Sequence, residues 1–174
     1  MTDEERFESL KRRAIENNER SYGAEARAKY GDAAIDAANA KLMAMGEQEY
    51  TSVTDLGEKI KEQLARACEA GDPAGPEAAR LVEMHKVWLC AWWPDGMYSQ
   101  EAHRGMADMY VADPRFTAYY DEPLRRWRHP VPPRRHLGER MRWSPTELLH
   151  EDSFPRDFNN HPRSQPVPKL AIIV

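Results

Sequence analysis

The sequence predicts an all-α domain followed by an irregular tail. Apolar residues recur at three- and four-residue spacing through the first 121 residues, and glycine or proline separates the periodic runs. No alternating apolar–polar run occurs before residue 122, so no sheet is expected. Short loops between the runs then predict a compact bundle of six or seven helices, and about 120 residues suffice for a hydrophobic core.

The first predicted helix begins at a capping box formed by Thr2 and Glu5 and runs through about Asn18. Its predicted apolar stripe consists of Phe7, Leu10, Ala14 and Ile15. A short helix is predicted over 23–30, and a third is predicted from a cap at Asp32 through Met45. The third helix carries Ile35, Ala38, Leu42 and Met45 on one side.

Two longer helices are predicted in the middle of the chain, over 47–70 and 76–92. The first ends at the breaker sequence Gly71-Asp72-Pro73, whereas Pro76 opens the second and Pro94 lies just beyond its end. The predicted inward faces hold Tyr50, Val53, Leu56, Ile60, Leu64 and Ala67, then Leu81, Met84, Trp88, Leu89 and Trp92.

Two further helices are predicted to meet at a corner within residues 99–121. Ser99 caps the first, and Asp113 caps the second, which Pro114 opens. Methionine and aromatic residues on both sides of the corner make an adaptable apolar surface, suited to packing or to holding a bulky ligand. These residues are Met106, Met109 and Tyr110, followed by Phe116, Tyr119 and Tyr120.

Charge is divided unevenly along the chain. Residues 1–121 hold 15 basic and 23 acidic side chains, a net charge of −8, whereas residues 122–174 have a net charge of +4. The acidic body argues against direct nucleic-acid binding. The charged N-terminus and the lack of a long apolar run predict neither a signal peptide nor a membrane span. Cys68 and Cys90 are expected to be unpaired and largely buried in a cytoplasmic protein.

The common catalytic and metal-binding motifs are missing from the sequence, so no enzyme activity is predicted. His85 and Cys90 lie five residues apart with no accompanying C-x-x-C or H-E-x-x-H, which does not favour a zinc site. Glu101 and His103 lie two apart on a helix and do not face each other, so they are not expected to form a catalytic dyad. No metal and no cofactor are therefore expected.

The string M-Y-V-A-D-P-R-F-T-A-Y-Y-D, residues 109–121, closely resembles the TipAS antibiotic-recognition domain. The upstream strings F-E-S-L-K-R-R and K-Y-G-D resemble the family's first helices, and the likeness covers roughly residues 3–122. In that family the domain is the drug-binding half of MerR-type transcription activators, and it also occurs as a free-standing antibiotic-sequestering protein. The resemblance implies a globin-like helical arrangement. In such a fold His85 or His103 of this chain could be an axial haem ligand, but similar domains use the fold without haem.

By this resemblance the helical domain spans residues 1–122 and binds a bulky, peptide-like antibiotic of the thiopeptide type, as a monomer or weak dimer. A cleft lined by aromatics with polar groups at its rim suits such a ligand, although the same side chains could simply form the core. The predicted ligand-binding residues are Trp88, Trp92, Trp93, Tyr98, His103, Met106, Tyr110, Phe116 and Tyr120. Asp113 is expected to be a helix cap and not a ligand contact.

One departure from the family concerns covalent capture. The member best known for binding thiopeptides carries a cysteine where this chain has Gly105, and an upstream cysteine of that member falls at Tyr98. Capture of a dehydroalanine needs an exposed, partly ionised thiolate. Non-covalent binding is therefore predicted.

The tail over 123–174 differs from the body, since it holds nine of the thirteen prolines and four of the six histidines. One interpretation is a basic, proline-rich arm that binds a partner, which would make the chain a protein-interaction module. The other is a frameshift near codon 123, because residues 124–136 can be encoded by DNA whose adjacent frame reads S-G-D-G-A-T-R-F-L-R-D-A-I. Its last part, F-L-R-D-A-I, is an amphipathic helical string that looks like the family's closing helix.

Overall fold

Short sequence signals divide the chain into helices that pack on one another. The computed structural model describes residues 2–116, 118 and 119. Within these residues six α-helices occur and no strand, and residues 114–116 and 118–119 are again helical. The helices are α1 (Asp3–Asn18), α2 (Ala24–Tyr30), α3 (Asp32–Ala44), α4 (Glu47–Ala70), α5 (Pro76–Trp92) and α6 (Gln100–Ala112). The prediction of an all-α body is confirmed, and the predicted tail lies outside the described residues.

The ends of α1 and α6 confirm the predicted caps. Thr2 and Glu5 form the reciprocal capping box, with the Glu5 amide donating to Thr2 Oγ1 at 3.2 Å. Ser99 Oγ accepts from the Ala102 amide at 3.0 Å. Asp113 Oδ1 accepts from the Arg115 amide at 3.0 Å, which confirms Asp113 as the cap of the following helical turn.

The predicted cap of α3 is wrong by one residue. Asp32 is the first residue of the helix, and Gly31 is the cap, with a backbone φ of 84° that side-chain-bearing residues rarely adopt. The Asp32 side chain instead accepts a hydrogen bond from Arg27 Nη1 at 3.0 Å. Gly71 ends α4 in the left-handed conformation, as the breaker sequence predicts.

The core lies where α4 and α5 pair along their length, and α6 contributes further buried residues to it. Its buried residues include Ile60, Leu64, Leu81 and Leu89, which all come from the predicted inward faces. The helix α3 packs against both α1 and α5 and connects the N-terminal helices to this core. Every helix of the described residues is too short or too polar to cross a membrane.

The orientation of α1 differs from the prediction. Leu10, expected to face the core, is 46% exposed, whereas Lys11 is only 2% exposed. The ammonium of Lys11 donates to the carbonyl oxygens of Met43 and Met45 at 2.7 and 3.0 Å, and lies 4.6 Å from the centre of the Phe7 ring. A long side chain can bury its methylenes while its charge finds oxygen partners, so Lys11 holds α1 on the corner between α3 and α4.

Candidate ligand-binding site

A single stripe along α1 and the turn after it lines a cavity of about 720 Å³. The lining residues recur at three- and four-residue spacing, as one face of a helix requires. They are Arg6, Ser9, Leu10, Arg13, Ala14, Asn17, Asn18, Ser21 and Tyr22, with Tyr50 of α4 as the tenth. This volume is within the range typical of small-molecule sites.

A π-helical turn, Glu19–Gly23, supplies one end of the cavity. The Glu19 carboxylate accepts from Arg27 at 2.7 and 3.1 Å and from Asn39 at 2.9 Å. The Arg27 hydrogen bonds hold the pKa of Glu19 below its ordinary value. A Cβ at Gly23 would collide with the Glu19 carboxylate, so glycine allows the carboxylate to lie against this turn. Single π-turns within helices often occur at functional sites.

The charge of the lining is positive. Arg6 and Arg13 contribute two guanidinium groups, and none of the ten described lining residues is acidic. Arg6 Nη1 lies 3.3 Å from Asp3 Oδ1, but both side chains are well exposed, so the pair is weakly held. Asn18 is 9% exposed and its Oδ1 has no hydrogen-bond partner. The cavity therefore offers two cationic donors, whereas the Asn18 Oδ1 is inaccessible to solvent.

The two cavity tyrosines each contact an aromatic ring of the core. Tyr50 meets Trp92 edge-to-face at a centroid distance of 6.1 Å, and Tyr22 lies 6.3 Å from Phe116. Trp92 in turn contacts Trp88 at 6.1 Å. On this side of the cavity, a single layer of tyrosine rings therefore separates the cavity from the aromatic residues of the core.

Behind this wall, α5 and α6 are joined by a buried chain of two histidines between two tyrosines. His85 Nδ1 lies 2.6 Å from His103 Nε2. Tyr98 Oη lies 3.2 Å from His103 Nδ1, and Tyr110 Oη lies 3.4 Å from His85 Nε2. A neutral imidazole has one N–H donor and one acceptor nitrogen. The two histidines must therefore have the same tautomer order along the chain, so that each ring donates to one neighbour and accepts from the other.

Burial keeps both histidines neutral. Desolvation lowers the pKa of His85 well below its ordinary value, and the neighbouring His103 lowers it further. Desolvation and then the charge of Lys86 lower the pKa of His103 to about 4. Desolvation raises the pKa of Tyr98 to about 12. Both histidines and Tyr98 are therefore uncharged at neutral pH.

Comparison with protein families matches residues 22–127 to the TipAS antibiotic-recognition domain, more than half of the chain. The chain belongs to the TipAS family. The matched stretch begins at Tyr22, so α1, with its two arginines, precedes it. Comparison with curated proteins and with solved structures gave no match.

In this TipAS domain, most of the predicted ligand-binding residues are buried in the core. Trp88, Trp92, Trp93, His103, Met106, Tyr110 and Phe116 are all buried, and Tyr98 is half-buried. None of these residues lines the α1 cavity, although Trp92 and Phe116 contact its tyrosines. Tyr120 lies outside the described residues. Ligand contact by this set stays a prediction.

The predicted burial of the cysteines is wrong for Cys90, which is exposed on α5, while Cys68 is half-buried. The periodicity of α5 explains the error, because the inward face runs through His85, Trp88, Leu89 and Trp92 and leaves position 90 outside. Neither cysteine lines the cavity. In the described part of the chain, no three His, Cys, Asp or Glu side chains are grouped closely enough to hold a metal ion.

Sequence reasoning missed the cavity residues of α1. A signal was present, because Arg6, Leu10, Arg13 and Asn17 already share one helical face at spacings of three and four. Assigning Leu10 and Ala14 to the core concealed that signal. The histidine pair was also missed, since its members are 18 residues apart and meet only through the packing of α5 on α6.

Proposed function

We propose that this TipAS domain binds a bulky, peptide-like antibiotic of the thiopeptide type without forming a covalent bond. Family membership supports antibiotic recognition, and the α1 cavity is the single feature that carries the proposal to this chain. Its aromatic rings, amides and hydroxyls suit a flat, amide-rich heterocyclic compound. We place the ligand against Tyr22 and Tyr50, with the predicted aromatic core supporting them from behind.

Binding without catalysis is part of the proposal. The ten described lining residues include no carboxylate, histidine or thiol, which are the groups most used for acid–base and nucleophilic chemistry. Since neither cysteine lies in the lining, the cavity offers no thiolate to a dehydroalanine. The biological role would be that of a stand-alone drug-sequestering protein or of the effector domain of a MerR-type transcription regulator, in the cytoplasm.

Tryptophan fluorescence tests this function directly. Trp92 contacts Tyr50 behind the cavity wall, so a bound heterocycle should quench its emission. We expect saturable quenching when the full chain is titrated with at least one member of a thiopeptide panel, together with an unchanged intact mass. A flat titration with native-like emission across the panel would overturn the proposed ligand class. A mass increase by one drug molecule would overturn the non-covalent mechanism.

A matched pair of variants locates the site. Leu10 lines the cavity and Val87 lies on α5 away from it, and both are exposed, at 46% and 58%. Leu10→Glu places a carboxylate against the ligand and should weaken binding about tenfold or more. Val87→Glu adds the same charge elsewhere and should leave affinity unchanged. Equal effects of the two variants would place the site outside the α1 cavity.

A further inference from the structure

We propose that the α1 cavity selects ligands that carry an acidic group, held by Arg6 and Arg13 beside a flat aromatic body. This rests on the proposed function, because it specifies the chemistry of the compound that the cavity accepts. The acidic group is a carboxylate or an equivalent oxyanion such as a sulfonate. Its partners are two guanidinium groups, each of which can donate two parallel hydrogen bonds to such an anion.

The cavity lining differs in charge from the rest of the helical body. Residues 1–121 have a net charge of −8, yet the described cavity lining has two arginines and no acidic side chain. A cavity that is cationic on an acidic surface attracts anions locally, where the rest of the surface repels them. Arg6 and Arg13 are two helical turns apart, about 10 Å along α1. They therefore bracket Leu10, and a planar ligand can lie on that side chain with its anionic end at either guanidinium.

Two aromatic rings of the lining complete the site. Tyr22 and Tyr50 both line the cavity and are supported from behind by Phe116 and Trp92. Rings held in this way offer stacking or edge contacts to an aryl group with little loss of side-chain entropy. The resulting ligand class is an aromatic compound with an acidic substituent.

The test uses two fluorescent probes with the same skeleton. 8-Anilinonaphthalene-1-sulfonate carries an acidic group, and N-phenyl-1-naphthylamine lacks it. With the full chain we expect the sulfonate to bind more tightly, and its affinity to fall as salt rises from low to physiological concentration. The double variant R6Q/R13Q should weaken the sulfonate about fivefold and remove the salt dependence, while the uncharged probe is unaffected.

The control is R12Q/R20Q, which removes the same charge from exposed positions outside the lining. It should leave the affinity ratio of the two probes unchanged. Equal affinities of the two probes for the wild-type protein, or equal effects of the two double variants, would overturn the selection of acidic ligands. Circular dichroism of each variant verifies that the helical fold is retained.

The two proposals fail in different ways. If thiopeptides bind and R6Q/R13Q leaves both probes and drugs unaffected, antibiotic binding stands and selection by charge is wrong. If the sulfonate shows the expected dependence on Arg6 and Arg13 while every antibiotic gives a flat titration, the acidic-ligand site stands and the antibiotic class is wrong. Thiopeptides prepared as matched terminal acids and amides then extend the probe result to drug-like ligands.

Discussion

Polar groups are buried at the interface between α5 and α6 but exposed along the cavity face of α1. At the α5–α6 interface, His85 and His103 are hydrogen-bonded to each other and to a tyrosine at either end. Along α1, Arg6 and Arg13 line an open cavity, and both side chains are exposed. A closed hydrogen-bond chain fixes the relative position of two helices, whereas exposed guanidinium groups are available to a ligand.

The largest effect is expected at low pH, where the free energy of unfolding should fall because of the buried histidines at the α5–α6 interface. The pKa of His103 is lowered to about 4 in the folded protein, against an ordinary value near 6.5, so the unfolded chain binds more protons between these pH values. The histidine contribution to stability is then constant above about pH 7 and is lost as pH decreases toward 4. The loss from His103 alone is about 3 kcal/mol, and His85 adds to it in the same direction.

Urea unfolding at a series of pH values measures this loss, and His103→Gln separates the histidine contribution from that of the carboxylates. The variant should be less stable at pH 7 but lose stability less steeply between pH 6.5 and 4. Equal slopes for the two proteins would contradict the prediction. NMR titration of the wild-type imidazoles gives a second measurement, in which both buried rings should stay neutral at pH 5.5.

Loss of the Lys11 hydrogen bonds, which hold α1 against the end of α3, should have the next largest effect. Lys11→Met keeps the buried methylenes but leaves the carbonyl oxygens of Met43 and Met45 without their donor. We expect the free energy of unfolding to fall by about 3 kcal/mol, as for other buried charged hydrogen bonds that lose one partner. Because α1 forms most of the cavity, ligand and probe binding should weaken in parallel.

The control for Lys11 is Lys59→Met on the exposed side of α4, which should change stability by less than about 0.5 kcal/mol. Chemical denaturation of both variants provides the comparison. If Lys11→Met were as stable as Lys59→Met, α1 would be held by its apolar contacts alone, and the hydrogen bonds of Lys11 would not contribute to stability.

The same two regions mark the reach of sequence reasoning. The bounds of α4 and α5 followed from Gly71, Pro76 and Pro94, because glycine and proline act through local backbone geometry. The rotation of α1 did not follow, since Lys11 and Leu10 compete for the interior and the outcome depends on carbonyl oxygens more than 30 residues away. Periodicity predicts which residues share a face of one helix. The cavity and the histidine pair depend on how several helices pack together, which periodicity does not predict.

The smallest effect compares two glycines inside helices, one under the closed core and one facing solvent. A Cβ at Gly57 would lie 3.2 Å from Trp88 Nε1, whereas a Cβ at Gly105 would meet nothing within 4 Å. Alanine favours a helix over glycine by about 0.5–1 kcal/mol, so Gly105→Ala should raise the free energy of unfolding by that amount. Gly57→Ala should gain nothing, because Trp88 must shift within a buried cluster that also contains Trp92 and His85. Urea unfolding of the two variants should therefore differ by about 1 kcal/mol. Equal stabilisation would mean that the ring of Trp88 moves freely, and the aromatic wall behind the cavity would then be as adaptable as the cavity itself.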